Sequence, residues 1–190
     1  DKYLVIVTLI LLLLLSFSPN THGDSLGYHF VVAKKLLTTG KYHYDITHFH
    51  SLLSGSGEIF IAIGLFFGSE HFGSLIQFSG LISILGIVKK IKNDNKFYYF
   101  LLILTSPVIL FLSSTAKPQL FHICSSSVIF CSYLFTNSKS LNLTEKNWRL
   151  IVSILVLIVS VTAKFNFIIS SALIGLIILF LPWTQNITGN

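Results

Sequence analysis

The length and composition of this chain exclude a soluble globular domain. It has 190 residues, of which 53% are hydrophobic and 11% charged, and its mean hydropathy is +0.78. Soluble domains carry about 25% charged residues, so half that share with several long apolar runs indicates an integral membrane protein. The net charge of +6 does not indicate nucleic-acid binding, because the lysines lie between the apolar runs, where membrane proteins place them.

The chain opens on an apolar run from Tyr3 to Phe17, which predicts a retained membrane helix. A signal peptide is the alternative, since Lys2 precedes the run and a polar break follows it. No small-residue cleavage site is evident between Ser16 and Asn20, so we favour the helix.

The first polar loop covers residues 19–57 and is expected to carry a helix of its own. Apolar side chains recur at helical spacing between Asp24 and Gly40, which predicts an amphipathic helix over Ser25–Thr39 lying on the membrane surface. On spacing alone, Asp24 is a helix N-cap and Gly40 a helix stop. The loop also holds five of the seven histidines, namely His22, His29, His43, His48 and His50.

The following apolar runs predict three more helical regions. Glu58 opens a short apolar helix that is broken at residues 68–71, and a span from Phe72 to Val88 follows. The run Phe97–Leu112 predicts a span kinked at Pro107. A further span is expected over residues 119–135, before a polar loop at residues 136–148.

The last apolar run, Leu150–Leu181, is too long for one span. As a single helix it would extend about 48 Å and place Lys164 near the middle of the bilayer, at a cost of at least about 2.5–3.5 kcal/mol. A hairpin that turns at Ala163–Asn166 puts this lysine at a membrane surface instead. The two helices of such a hairpin are short, and their outer ends are expected to border a water-filled cavity.

These elements predict an all-α integral membrane fold, a polytopic bundle of about six transmembrane helices with an outer-face loop carrying an amphipathic interfacial helix. Residues 1–190 form a single transmembrane domain. If Lys2 lies on the cytoplasmic side, eight basic residues fall on that side and five outside, as the positive-inside rule requires. The loop at residues 19–57 is then the first extracytoplasmic loop.

This topology places Asp24, Glu58, Lys117 and Lys164 on the outer face. Two carboxylates and two isolated lysines at one membrane level suggest a site where a base meets an anionic ligand. The structural alternatives are that the lysines reach towards lipid headgroups and that Glu58 interacts with the dipole at its helix start.

The two cysteines have a structural interpretation. Cys124 and Cys131 are seven residues apart within one apolar run, so they share a helix face and are expected to pack as small apolar side chains.

A metal site built from His43, His48, His50 and an acid is the alternative role of the histidine-rich loop, but the spacing matches no familiar zinc pattern.

Several motifs resemble the GT-C membrane glycosyltransferases, and the resemblance extends over most of the chain. The run Asp24-Ser25-Leu26-Gly27-Tyr28-His29, followed by Lys35 and Gly40, resembles their first outer loop. The segments Glu58-Ile59-Phe60, Gly64–Gly68, Ser106-Pro107 and Thr162-Ala163-Lys164-Phe165 resemble later elements. The similarity is to the bacterial group related to dolichyl-phosphate-mannose–protein mannosyltransferases and to the Rgt-type lipopolysaccharide sugar transferases.

The chain also departs from that family. Many members carry an acidic residue in the turn before the fourth span, where this chain has Lys117-Pro118-Gln119. Members are also much longer, so the resemblance implies that this chain is the N-terminal part of such a protein.

The resemblance implies an inverting transfer of a sugar from a polyprenyl-phosphate donor to an acceptor hydroxyl. The acceptor would be a glycan, lipid or protein, and the reaction would take place on the extracytoplasmic face of a membrane, in a bacterium the inner membrane. The implied catalytic residues are Asp24, as the base, and Glu58. The implied substrate-binding residues are Tyr28, His29, Lys35, Lys117 and Lys164. Some members use a divalent cation at the acids, which is compatible with Asp24 and Glu58, but no metal ligand is assigned.

A non-enzymatic transporter or scaffold subunit is the competing hypothesis. It accounts for the spans and for the distribution of basic residues. It does not explain why polar residues gather on one side, since transporters place polar or broken-helix sites near the midplane. The break at residues 68–71 is the one feature that fits a transporter.

Overall fold

The apolar runs fold into helices because backbone polar groups can be satisfied within one segment only in a helix. A computed structural model describes residues 2–42, 55–90, 96–135, 142–163 and 167–187. In these ranges the structure has helices and loops but no strand, so the all-α prediction is confirmed there. The helices are α1 (Lys2–Ser16), α2 (Phe30–Thr39), α3 (Gly57–Phe66), α4 (Phe72–Lys90), α5 (Lys96–Leu104), α6 (Pro107–Ser114), α7 (Leu120–Phe135), α8 (Leu143–Ala163) and α9 (Phe167–Ile187).

Helix α4 lies at the centre, packed against α1, α3, α5, α6 and α7. Gly80 permits a close approach to α7, since a Cβ added there would lie 2.9 Å from the Cα of Phe121. Gln77 accepts a hydrogen bond from the backbone N–H of Phe121 at 3.0 Å, which satisfies a donor at the start of α7. The main buried cluster comprises Leu12, Leu81, Leu85, Leu104, Leu112, Leu120 and Cys124.

Cys124 is fully buried in this cluster, in agreement with its predicted role as an apolar packing residue. The side chain of Cys131 lies outside the described residues. Helices α8 and α9 pack against each other and against α7, with Ile129, Leu157 and Ile178 buried between them.

Many large apolar side chains are exposed on the outside of the helices. They are exposed along α1, α8 and α9, for example Leu14, Leu155 and Ile169. Serines on these helices bond back to carbonyls one turn earlier, as Ser153 does to the carbonyl of Arg149 at 2.7 Å. An apolar exterior with internally satisfied polar groups is what a lipid environment requires.

The sequence predicts about six membrane spans. By length and composition, two or three spans are found among the described helices. Helices α4 and α8 are long and apolar enough to cross a membrane, and α5 with α6 makes a third if this pair, bent by 63°, is one span. The other apolar stretches with described side chains, which include Phe167–Phe180 of α9, have 10–17 residues, fewer than the roughly 20 that a straight crossing needs. The six-span bundle stays a prediction.

The predicted helix breaks agree with the structure. Gly40, at φ +66°, ends α2 by donating its N–H to the carbonyl of Leu36. Helix α3 ends at Phe66 and α4 begins at Phe72, with Gly68 at φ +74° between them. The kink expected at Pro107 is a full break, because this proline starts α6, where a missing N–H leaves no bond unmade.

The start of α8 differs from the prediction. Residues 136–148 were expected to form a polar loop, but α8 begins at Leu143. Its start is fixed by reciprocal bonds, from the Glu145 N–H to Asn142 Oδ1 at 2.8 Å and from the Asn142 N–H to Glu145 Oε2 at 3.0 Å. This capping box stabilises the first turn before the apolar stretch begins, which is why the helix extends into polar sequence.

Candidate active site

The ends of several helices meet at one end of the bundle. Asn20, just after α1, accepts hydrogen bonds at Oδ1 from the backbone N–H of Ala116, at 3.2 Å, and from the hydroxyl of Ser74, at 3.3 Å. Ser56, before α3, donates its N–H to the carbonyl of Thr162 near the end of α8, at 2.9 Å. We call this region, residues 20–29, 55–58, 115–118 and 162–163, the loop end of the bundle.

Asp24 and Lys117 form an ion pair at the loop end. The Lys117 Nζ donates to Asp24 Oδ2 at 2.6 Å, across 93 residues of sequence. The carboxylate is 56% exposed, whereas the lysine side chain is only 13% exposed. Lys117 Nζ also lies 5.2 Å from the centre of the Phe111 ring, a cation–π distance.

The interpretation of Asp24 as a helix N-cap is wrong. Its backbone is already helical, at φ −67° and ψ −37°, and its side chain makes no capping bond. The carboxylate reaches Lys117 instead, because the turn between α6 and α7 brings an ammonium group within hydrogen-bonding distance. The hydrogen bond from Lys117 lowers the pKa of Asp24, against a smaller opposing effect of desolvation, so the carboxyl stays ionised at neutral pH.

A second acid, Glu58, is buried close by in the first turn of α3. Its Oε1 lies 2.7 Å from His29 Nδ1, and both side chains are 1% exposed. Its Oε2 accepts the backbone N–H of Gly55 at 2.7 Å. Both carboxylate oxygens therefore contact protein groups, and the position at a helix start also suits the predicted interaction with the helix dipole.

The segment between Asp24 and α2 is π-helical over Ser25–His29, with the Phe30 N–H donated to the carbonyl of Ser25. The wider turn lets Asp24 stay exposed while Ser25 and His29 are buried. Single π-turns often occur at functional sites.

The ring of Tyr28 packs on the ring of His29, with centroids 3.9 Å apart. Burial, with the negative charges of Glu58 and Asp24, raises the pKa of the Tyr28 hydroxyl, so this side chain stays neutral.

Two glycines let the start of α3 fit between neighbouring segments. A Cβ at Gly57 would lie 2.5 Å from the Cβ of Pro118, and one at Gly55 would lie 2.6 Å from the carbonyl oxygen of Ala163. Glycine at both positions thus allows α3 to press against the turn that carries Lys117 and against the end of α8. Through this packing the Glu58 and Lys117 segments are held at a fixed separation.

Comparison with known proteins places this chain in a family. The family model of the DUF1420 N-terminal domain matches residues 2–185. The chain belongs to this family. No curated protein and no solved structure matches the chain. The matched range contains both the Asp24–Lys117 and the His29–Glu58 pairs, and the resemblance of this DUF1420 N-terminal domain to sugar transferases stays a prediction.

This DUF1420 N-terminal domain brings five of the predicted site residues into two contact groups, Asp24 with Lys117 and Tyr28 with His29 and Glu58. Lys35 is half-buried on α2, and within the described part of the chain its ammonium group makes no ion pair with a site acid. Lys164 lies outside the described residues, so its predicted role is neither supported nor opposed.

Two possible metal sites were considered from the sequence, one in the histidine-rich loop and one at the acids Asp24 and Glu58. Among the residues that the structure describes, no group of three or more His, Cys, Asp or Glu side chains is arranged to hold a metal ion. His43, His48 and His50 lie outside those residues. A divalent cation at Asp24 and Glu58 stays a prediction.

Two polar residues, Asn20 and His122, were not among the site residues predicted from the sequence. Asn20 links α4 to the turn before α7, as described above. His122 is 1% exposed on α7, with its ring among those of Phe60, Phe121 and Phe167. An ionisable side chain within an apolar run is itself a signal of a functional site in membrane proteins, and His122 carried that signal.

Proposed function

We propose that this domain transfers a sugar from a polyprenyl-phosphate donor to an acceptor hydroxyl at the loop end of the bundle, with inversion at the anomeric carbon. The observation that supports this most strongly is the contact between Asp24 and Lys117. It combines a carboxylate held in its ionised form with an ammonium group beside it, at an end of the bundle where several apolar helices terminate.

Asp24 serves as the general base. Its carboxylate takes the proton of the acceptor hydroxyl, whose oxygen bonds to the anomeric carbon on the face opposite the phosphate. The bond between that carbon and the phosphate oxygen breaks, and polyprenyl phosphate leaves with the electron pair. Exposure of 56% leaves room for an acceptor beside the oxygen that Lys117 holds.

Lys117 serves as the electrostatic partner of the phosphate. An ammonium group has three donors, so Lys117 can turn one towards a phosphate oxygen and stabilise the negative charge that develops on the leaving group. The same movement weakens its bond to Asp24, which makes the carboxylate a stronger proton acceptor when the donor is bound.

The membrane arrangement that fits this chemistry has six spans with the loop end on the extracytoplasmic side. Helices α1, α7 and α9 then complete the bundle, and the apolar exteriors of α1, α8 and α9 face lipid. In a bacterium this would be the inner membrane, where polyprenyl-phosphate sugars act as donors for sugar transfer on the extracytoplasmic side.

A transporter or scaffold subunit is the alternative function, and one observation favours it. His29 and Glu58 form a buried ionisable pair, a feature that membrane transporters use for coupling to protons. The two functions differ in whether a chemical bond of the donor is broken.

The decisive assay uses purified full-length protein in lipid nanodiscs with candidate polyprenyl-phosphate sugars and acceptors. Release of polyprenyl phosphate together with inverted product supports sugar transfer. Intact donor under all conditions, with saturable movement of a solute in vesicles, would establish the transporter instead.

Replacing Lys117 with methionine is expected to reduce the transfer rate by about 10²–10³-fold, because an ammonium group beside the leaving phosphate is lost. The pKa of Asp24 should also rise, since Lys117 lowers it in the native protein. The base is then protonated at higher pH, and the acidic limb of the pH–rate profile should move to higher pH. Lys34→Met, an exposed lysine on α2, is the matched control. An unchanged rate and profile in Lys117→Met would contradict this role.

A further inference from the structure

Three buried polar atoms in the segments that carry the Asp24–Lys117 pair have no hydrogen-bond partner among the described residues. They are Asn20 Nδ2, Ser25 Oγ and Thr115 Oγ1. Ser25 and Thr115 are 0% and 7% exposed, so bulk water does not hydrate them freely. Buried polar groups are normally bonded, and each exception calls for a partner such as a bound molecule.

The residues that carry these atoms are joined to the ion pair by the chain or by a hydrogen bond. Ser25 directly follows Asp24, and Thr115 stands two residues before Lys117. Asn20 is joined to the same turn, because its Oδ1 accepts the Ala116 N–H at 3.2 Å.

The unpartnered atoms share one chemical character. Asn20 Oδ1 already accepts from Ala116 and from the Ser74 hydroxyl, which orients the amide so that its NH₂ group, a donor only, is the free part. The hydroxyls of Ser25 and Thr115 can each donate as well. With the ammonium of Lys117 beside them, the group is rich in donors and carries a positive charge, which suits a ligand made of anionic oxygens.

We infer that Asn20, Ser25 and Thr115 form, with Lys117, the subsite that binds the phosphate group of the lipid donor. This inference rests on the proposed function for the identity of the donor and adds the neutral groups that surround the phosphate. An anionic oxygen entering the subsite supplies the acceptors that the three buried donors lack. The ammonium of Lys117 then turns from Asp24 towards that oxygen.

Thr115→Val tests the subsite cleanly, because valine keeps the shape of threonine and the lost hydroxyl has no partner among the residues that the structure describes. Binding of undecaprenyl phosphate to full-length protein, in nanodiscs of zwitterionic phosphatidylcholine, should weaken by about tenfold, as expected for a lost hydrogen bond to a charged group. The melting temperature without ligand should stay the same or rise, since a buried unpartnered hydroxyl is removed.

Ser25→Ala is the second variant, with the same pair of expected results. Thr105→Val is the control, since the Thr105 hydroxyl is exposed and already bonds the carbonyl of Leu101 at 2.7 Å. Undecaprenol, which lacks phosphate, should not compete with undecaprenyl phosphate. Competition by inorganic phosphate would show recognition of the phosphate alone, and competition by nanodiscs of phosphatidylglycerol would show recognition of any anionic phospholipid.

Wild-type affinity in both Thr115→Val and Ser25→Ala, or equal binding of undecaprenol, would overturn the subsite. This result is distinguishable from failure of the proposed function. If the variants weaken phosphate binding but no donor is ever cleaved, the subsite stands and sugar transfer fails. If donors are cleaved and the variants bind normally, transfer stands and the subsite fails.

Discussion

Replacing Asp24 with asparagine is expected to reduce sugar transfer by about 10²–10⁴-fold, the usual contribution of a general base. Asparagine keeps the size of the side chain and can still accept a hydrogen bond from Lys117, but it cannot take a proton from an acceptor hydroxyl. The rate should be measured as release of polyprenyl phosphate by full-length protein, with the donor saturating.

The fold of the Asp24→Asn variant should be nearly unchanged. The Asp24 side chain is 56% exposed, and an ion pair with such an exposed group contributes about 0–1 kcal/mol to the free energy of unfolding. Glu70→Gln provides a control, since Glu70 is also an exposed acid, 58% accessible, outside the loop end. A normal transfer rate in the Asp24→Asn variant would remove Asp24 as the base.

Glu58→Ala is expected to have the largest effect on stability. Removing the Glu58 side chain leaves the buried groups that bond to it unsatisfied, which costs about 1–3 kcal/mol for each group. Here the loss leaves both His29 and the backbone N–H of Gly55 without the carboxylate that binds them. Unfolding in detergent, followed by circular dichroism, should show a large fall in the melting temperature.

Glu58→Gln separates hydrogen bonding from charge at the same position. The glutamine carbonyl can accept the Gly55 N–H while its amide donates to His29 Nδ1, so this variant should retain most of the stability and of the transfer rate. Such a result would make Glu58 a positioning residue that holds α3 against the helix carrying Asp24. If Glu58→Ala is as stable as the native protein, the buried pair does not support the loop end.

Features of the fold that depend on local chemistry were predictable. The helix stop at Gly40, the break at residues 68–71 and the interruption at Pro107 follow from the backbone preferences of glycine and proline, which act within a few residues. The capping box at Asn142 and Glu145 is an equally local signal, and it was overlooked because polar sequence suggested a loop.

The candidate site was predictable only in part, because its contacts join distant segments. Alternation of the spans placed Asp24 and Lys117 on one face, but the contact between them depends on how the turn before α7 packs. The partnership of Glu58 with His29 depends on how α3 packs against α2. Neither pairing follows from spacing along the chain, since long-range contacts are set by the packing of whole helices.

The sidedness of the loop end is tested most directly by cysteine labelling in cells. In full-length protein with Cys124 and Cys131 replaced by alanine, single cysteines are introduced by Asp24→Cys and Lys90→Cys, at opposite ends of the predicted bundle. A maleimide that cannot cross the membrane, added from outside, is expected to label position 24 in intact cells and position 90 only after permeabilisation. Labelling of position 90 but not position 24 in intact cells would contradict an extracytoplasmic site containing Asp24 and Lys117.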